Sequence, residues 1–210
     1  FGPVQGFTYG NGQLYSRGFD MDGRFVSYTL GAQTLAVGYD DASRIMSLTD
    51  AGNPANVNTY GYDPNDRLLS FVGPSANQGF TYDVVGNRAT KTIGASSDTY
   101  AYAPTSNRLT AITGSLSRSY SYDSNGSTTG DGTATFGYDT RGRMVQATTA
   151  SGTTTYQVNA QGQRMRKTSA QGDTVYHYDA QGHLIAESSP TGSVQREYIY
   201  LGDAPVAVLQ

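Results

Sequence analysis

The chain has 210 residues, a formal net charge of −3, 15% charged residues and no cysteine. This balance excludes the clustered Lys and Arg on which non-specific nucleic-acid binding depends, and it excludes disulfides and thiolate metal sites. No apolar run reaches the roughly 18 residues of a membrane-crossing helix, and the opening FGPVQGFTYG lacks the charged and apolar regions of a signal peptide.

The length alone allows one large domain or two small ones. With 26 Gly, 17 Tyr and only two Glu (Glu187 and Glu197), the composition favours strands and turns over helices. A phrase recurs along the chain. An aromatic marker before an acidic position falls at Phe19, Tyr39, Tyr62, Tyr82, Tyr102, Tyr122 and Tyr138, then at Val158, Tyr178 and Tyr200. The steps are 20, 23, 20, 20, 20, 16, 20, 20 and 22 residues. Most units carry a second aromatic two positions earlier, which places the two on one face of a strand. The consensus is Y-x-Y-D-x-x-G-R-L.

Taken in chain order, each phrase reads as a hairpin. The first unit sets Asp20 against Arg24 across a loop ending in Gly23. The next set Tyr39-Asp40 against Arg44 and Tyr62-Asp63 against Arg67, with Ser43 and Asp66 standing where glycine is missing. At Tyr82-Asp83 the loop carries Gly86 and the arginine comes one place late, at Arg88, which suggests a longer loop. At Ala103 and Asn159 the acid is lost, and Arg108 and Arg164 are again one place late. Tyr122-Asp123 is followed by Gly126 but by no arginine, and the next unit is four residues short, so the sheet is expected to be irregular over 124–133. Tyr138-Asp139 returns to pattern with Gly142 and Arg143, and Tyr178-Asp179 with Gly182 and His183. A three-residue loop such as Ala180-Gln181-Gly182 fits a type I turn followed by a left-handed residue, which glycine adopts without steric cost.

This register opposes Tyr178 to Leu184 and Asp179 to His183. Tyrosines and aliphatics are then expected on one face and the Asp–Arg pairs on the other, each cross-strand pair contributing about 0.2–1 kcal/mol. Second turns are expected at 95–98, 114–117, 150–152, 170–173 and 190–193. Each unit is thus two strands and two turns, and stacked units bury what one hairpin cannot. The expected fold is all-β: a coiled antiparallel ribbon of hairpin repeats over 1–210 as one array. A β-propeller would need about 40 residues per blade, and the 23- and 16-residue steps argue against it.

The repeated Y-D-x-x-G-R phrase resembles the YD repeat of bacterial Rhs proteins, with relatives in teneurins and toxin-complex cocoon subunits. TYGNGQLYSRGFDMDGRF at 8–25 resembles the opening of many Rhs tracts, and YQVNAQGQRMRKT at 156–168 the stretch before the last repeats. REYIYLGDAPVAVL at 196–209 resembles the signature that closes the Rhs core. The resemblance covers essentially the whole chain. It implies a β-strand spiral that wraps into a hollow shell around a toxic C-terminal domain, delivered between cells by secretion systems. The implied location is secreted or at the bacterial cell surface. The family's self-cleavage motif, Asp-Pro followed by Gly-Leu, lies beyond the closing signature, so no catalytic residue carries over. The chain starts and stops in mid-pattern, as a piece of a longer one would.

Two function classes follow. One is a structural shell segment whose partner is a cargo domain of the same polypeptide. The other is an adhesive or fibre-forming module that contacts glycans or neighbouring copies through its tyrosine-rich faces. An enzyme has no support: there is no G-x-S-x-G elbow, and His177 and His183 read as variation at repeat positions. No cofactor or metal is expected. Asp20-Met21-Asp22-Gly23 imitates the start of a calcium loop, but the later ligands of such a loop are missing.

Overall fold

The computed structural model describes residues 4–210. Every regular element among them is a strand, and strands that pair in the ladders run antiparallel to the next strand in sequence. The first sheet holds β1 (Gly6–Thr8), β2 (Leu14–Phe19), β3 (Phe25–Leu30), β4 (Gln33–Tyr39), β5 (Ile45–Asp50) and β6 (Asn53–Tyr62). It continues through β7 (Leu68–Val72), β8 (Asn77–Tyr82), β9 (Arg88–Ile93), β10 (Ser96–Tyr102), β11 (Leu109–Gly114) and β12 (Arg118–Ser119). The second holds β13 (Ser121–Tyr122), β14 (Thr128–Gly130), β15 (Thr135–Tyr138), β16 (Met144–Thr149) and β17 (Gly152–Val158). It ends with β18 (Arg164–Ser169), β19 (Gly172–Tyr178), β20 (Leu184–Ser188), β21 (Val194–Leu201) and β22 (Ala204–Leu209).

The hairpin turn has the expected chemistry. The Gly182 amide donates to the Asp179 carbonyl at 3.1 Å, and the Asp179 amide to the His183 carbonyl at 3.0 Å. Gly182 has φ +93°, and Ser43 and Asp66 take the same left-handed conformation at +63° and +62°. Tyr178 opposes Leu184. A bulge that the repeat's spacing does not show follows the turns at Asp20, Asp40, Asp63, Asp83, Asp139, Asn159 and Asp179. Gly38 opposes Ser47 while Tyr39 opposes Ile45, so Met46 has no opposite number. Leu69, Ala89, Val145, Met165 and Ile185 stand in the same position. An extra residue leaves the ladder and twists the strand. This explains why Met46, Leu69, Met165 and Ile185 are exposed despite being apolar.

Three expectations change. At Asp83 the loop is not longer: the Asp83 amide bonds the Asn87 carbonyl, so Asn87 fills the fourth position and Arg88 is the first strand residue. The longer loop is at Ala103, whose amide reaches the Arg108 carbonyl. The turn expected at 95–98 is Gly94-Ala95, because Ile93 already pairs with Ser96 and Asp98 with Lys91. The predicted irregularity is present: β14 is three residues long and meets β15 in one pair, Gly130 with Thr135. The change from one sheet to the other lies slightly earlier, at Tyr120.

Contacts gather in two compact units, the described residues up to Ala101 with Ile112–Leu116, and Tyr102–Ala111 with Ser117–Gln210. Neither has a deep centre. Among the described residues the buried apolar side chains are Val37, Tyr100 and Ile112, and the buried polar ones Asp63 and Ser188. Stability is therefore carried by contacts between neighbouring repeats.

Candidate functional site

The motif residues converge at the hairpin turns. In each regular turn the aspartate satisfies backbone donors that the turn exposes. Asp40 Oδ1 accepts from the Ala42 amide at 3.0 Å and the Arg44 amide at 2.9 Å, and Oδ2 accepts from Arg44 Nε at 2.7 Å. Asp20, Asp63 and Asp139 repeat the arrangement with Arg24, Arg67 and Arg143. Asp caps such turns because its short carboxylate reaches its own backbone two residues on. At Asp20 this occupies both oxygens with protein donors, which accounts for the calcium-like spelling as turn chemistry. Asp83 makes the same contacts with Asn87 in place of arginine, and Asn159 with Gln163 is an uncharged version. Asp123 keeps the backbone bonds to Asn125 and Ser127.

Most of the arginines then leave their own unit, whereas Arg164 lies over Tyr156 of its own hairpin at 4.3 Å. The guanidinium of Arg24 lies over the ring of Tyr39, a marker of the following repeat, at 4.9 Å. Arg44 lies over Tyr62 at 5.1 Å, Arg67 over Tyr82 at 4.6 Å and Arg108 over Tyr122 at 5.7 Å. Arg44 also bonds Asp66 at 2.7 Å in the next turn, and Arg143 donates to the Asn159 carbonyl at 2.5 Å. The tyrosine returns the contact. Tyr39, Tyr62, Tyr82 and Tyr122 each donate a hydroxyl proton at 2.7 Å to a carbonyl of the preceding repeat: Phe25, Ile45, Leu68 and Leu109. Tyr138, Tyr178 and Tyr200 do the same to Thr128, Arg164 and Leu184.

This overturns the expected separation of faces. Asp and Arg sit beyond the last ladder pair, where alternation no longer directs side chains, and the long arginine folds over the neighbouring tyrosine. Aspartate, arginine and tyrosine thus form one clamp between successive hairpins. Sequence spacing carried a hint of it, since arginine and the next marker aromatic lie about 15 residues apart in unit after unit. The accepting carbonyls leave no trace in the sequence, because any residue supplies one.

The family model of the teneurin YD-shell matches residues 80–204. The chain belongs to the teneurin YD-shell family. No curated protein matches the chain. Among solved structures, a Photorhabdus luminescens Tc holotoxin pore with a mutation in TccC3 is 14% identical, with a TM-score of 0.49. It is matched over 99% of this chain and 17% of its own. A TcdB2–TccC3 crystal structure is 16% identical over 90% of this chain and 12% of its own, also at 0.49. The YD-shell segment thus spans under a fifth of the length of either.

Clamp electrostatics set a pH limit on the YD-shell fold. The Arg24 side chain bonded to it holds Asp20 below the ordinary carboxylate value, despite some desolvation. At Asp40 the Arg44 backbone amide is the leading cause, and at Asp139 the Arg143 side chain. Carboxylates with depressed folded values add stability that is complete above their unfolded value of about 4. That stability is lost as pH falls through the folded values. We expect far-UV circular dichroism melts to be flat between about pH 5 and 6.5 and to fall steadily below about pH 4. A melting point unchanged down to about pH 2 contradicts the clamp. Removing one hydroxyl, in Tyr82→Phe, is expected to cost about 1 kcal/mol in urea unfolding while the ring stays under Arg67.

Proposed function

We propose that this YD-shell segment is a non-catalytic part of a wall that encloses a toxin or effector domain of the same polypeptide and carries it between cells, outside the producing cell. The observation that supports this is the clamp itself. The polar motif residues are committed to joining one repeat to the next, as a load-carrying wall requires. Residues 196–210, which cover most of the β21–β22 hairpin, are the closing segment of the repeat tract in this reading.

The test uses the complete polypeptide from which the segment comes. Negative-stain microscopy should show discrete hollow or C-shaped particles. A domain downstream of Gln210 should resist protease until the shell is opened. Digestion of that domain as fast as when it is isolated sinks the enclosure. Long end-to-end filaments favour the adhesive reading instead. Glycan contact has one specific support: an open groove of about 540 Å³ lined by Tyr120 with Ser119, Ser121, Thr133 and Thr135. Retention on immobilised glycans that is lost in Tyr120→Ala favours that second reading.

A further inference from the structure

Histidine stands at one turn where sister units carry arginine. His183 follows Asp179 at the spacing of Arg44 after Asp40. Its ring stacks on Tyr200 of the next hairpin, with centroids 4.7 Å apart and planes 24° apart. Nδ1 faces Asp179 Oδ2 at 2.9 Å, and Nε2 faces Asp203 Oδ1 at 3.1 Å in the turn between β21 and β22.

Both ring nitrogens therefore face carboxylate oxygens. A neutral imidazole has one N–H and one lone pair, so one of the two contacts would set lone pair against lone pair. Only the imidazolium donates to both. Arginine in the same slot never loses its charge at physiological pH.

We infer that His183 is a proton-dependent clasp that ties the β21–β22 hairpin to the β19–β20 turn when charged and loosens it when neutral. The groups around it fit. Asp179 faces it from the end of β19, Asp203 from the β21–β22 turn and Tyr200 from β21; the neighbouring Gln163 amide, near Gly182, is neutral. The Asp179 carboxylate bonded to Nδ1 raises the imidazole above its ordinary 6.5, with Asp203 adding to it. The clasp is complete below about pH 6.5 and is lost as pH rises through the raised value. Asp203 is fully exposed, so solvent screens its contact and the effect is modest. The loosening is local, because β21 keeps its ladder to β20 and is held to β22 by another.

The test is amide hydrogen exchange in β21 and β22, corrected for the intrinsic pH dependence of exchange, between pH 6 and 8.5. In the unmodified chain, opening of the hairpin should rise about two- to fivefold across that range. His183→Arg should hold the low-pH level throughout, and His183→Gln should stay at the high-pH level. An NMR titration of the His183 ring supplies a readout independent of folding in the variants, and should give a midpoint above 6.5. A flat profile in the unmodified chain, the same rise in His183→Arg, or a ring midpoint at or below 6.5 overturns the clasp.

Discussion

Replacing Gly114 with alanine is expected to destabilise the first unit by about 3 kcal/mol, the largest loss from any single methyl group in this chain. Gly114 ends β11 with φ +130°, a conformation that L side chains rarely adopt. A Cβ there would lie 2.1 Å from the Ser97 carbonyl oxygen and 3.0 Å from the Asp98 Cα, both on β10. Backbone cannot swing aside as a side chain does. Moving it also threatens the Leu116 amide, which donates to Asp98 Oδ1 at 2.7 Å. Gly94→Ala is the control. It too has a left-handed φ, +56°, but its Cβ would meet nothing within 4 Å, so the cost should be about 1 kcal/mol. Urea unfolding of the two variants separates contact from conformation. Equal losses would show that β10 yields, and that the close approach is not what holds this position.

Arg67→Ala is expected to cost about 2 kcal/mol, twice the ceiling of a cross-strand pair. The sequence presents Asp63 and Arg67 as such a pair, worth about 1 kcal/mol at most. In the structure Arg67 Nε bonds Asp63 Oδ2 at 2.6 Å, and its guanidinium lies 4.6 Å from the Tyr82 ring. One truncation removes a charged hydrogen bond and a cation–π contact, and leaves Asp63, a residue only 8% exposed, without its cation. Arg67→Lys should recover less than half of the loss, because an ammonium has neither the fork nor the plane. A double-mutant cycle with Tyr82→Leu should return a coupling of about 0.5–1 kcal/mol. A coupling near zero would mean that the stack is incidental and that register chemistry within the hairpin is the whole role of Arg67.

The difference between those two figures is the part of the Arg67 contact that reaches into the next hairpin. The three-residue loops were legible because the loop's conformation is decided within five residues. Glycine takes the left-handed position, aspartate caps the amides, and Asp66 and Ser43 substitute at some strain. The late arginine at Arg88 misled, because spacing cannot distinguish a longer loop from Asn87 taking over the arginine's place. Ala103, with the same lateness, does have the longer loop. The bulge residues were also hidden: nothing in the spacing sets Met46, Leu69 and Ile185 apart from the aliphatics beside them, and the ladder leaves them out.

The sequence by itself determined the all-β class, the regular three-residue turns and the phase of the repeat that carries the family resemblance, because these follow from backbone preferences and from side chains acting on their nearest neighbours in the chain. The tertiary structure alone decided that arginine and tyrosine belong to one clamp across successive repeats. It also decided that His183 faces two carboxylates at once. The partners that join successive hairpins lie about 10 to 22 residues apart and meet only when one hairpin is laid beside the next, and the tyrosine hydroxyls bond backbone carbonyls, which every residue carries and no sequence pattern distinguishes.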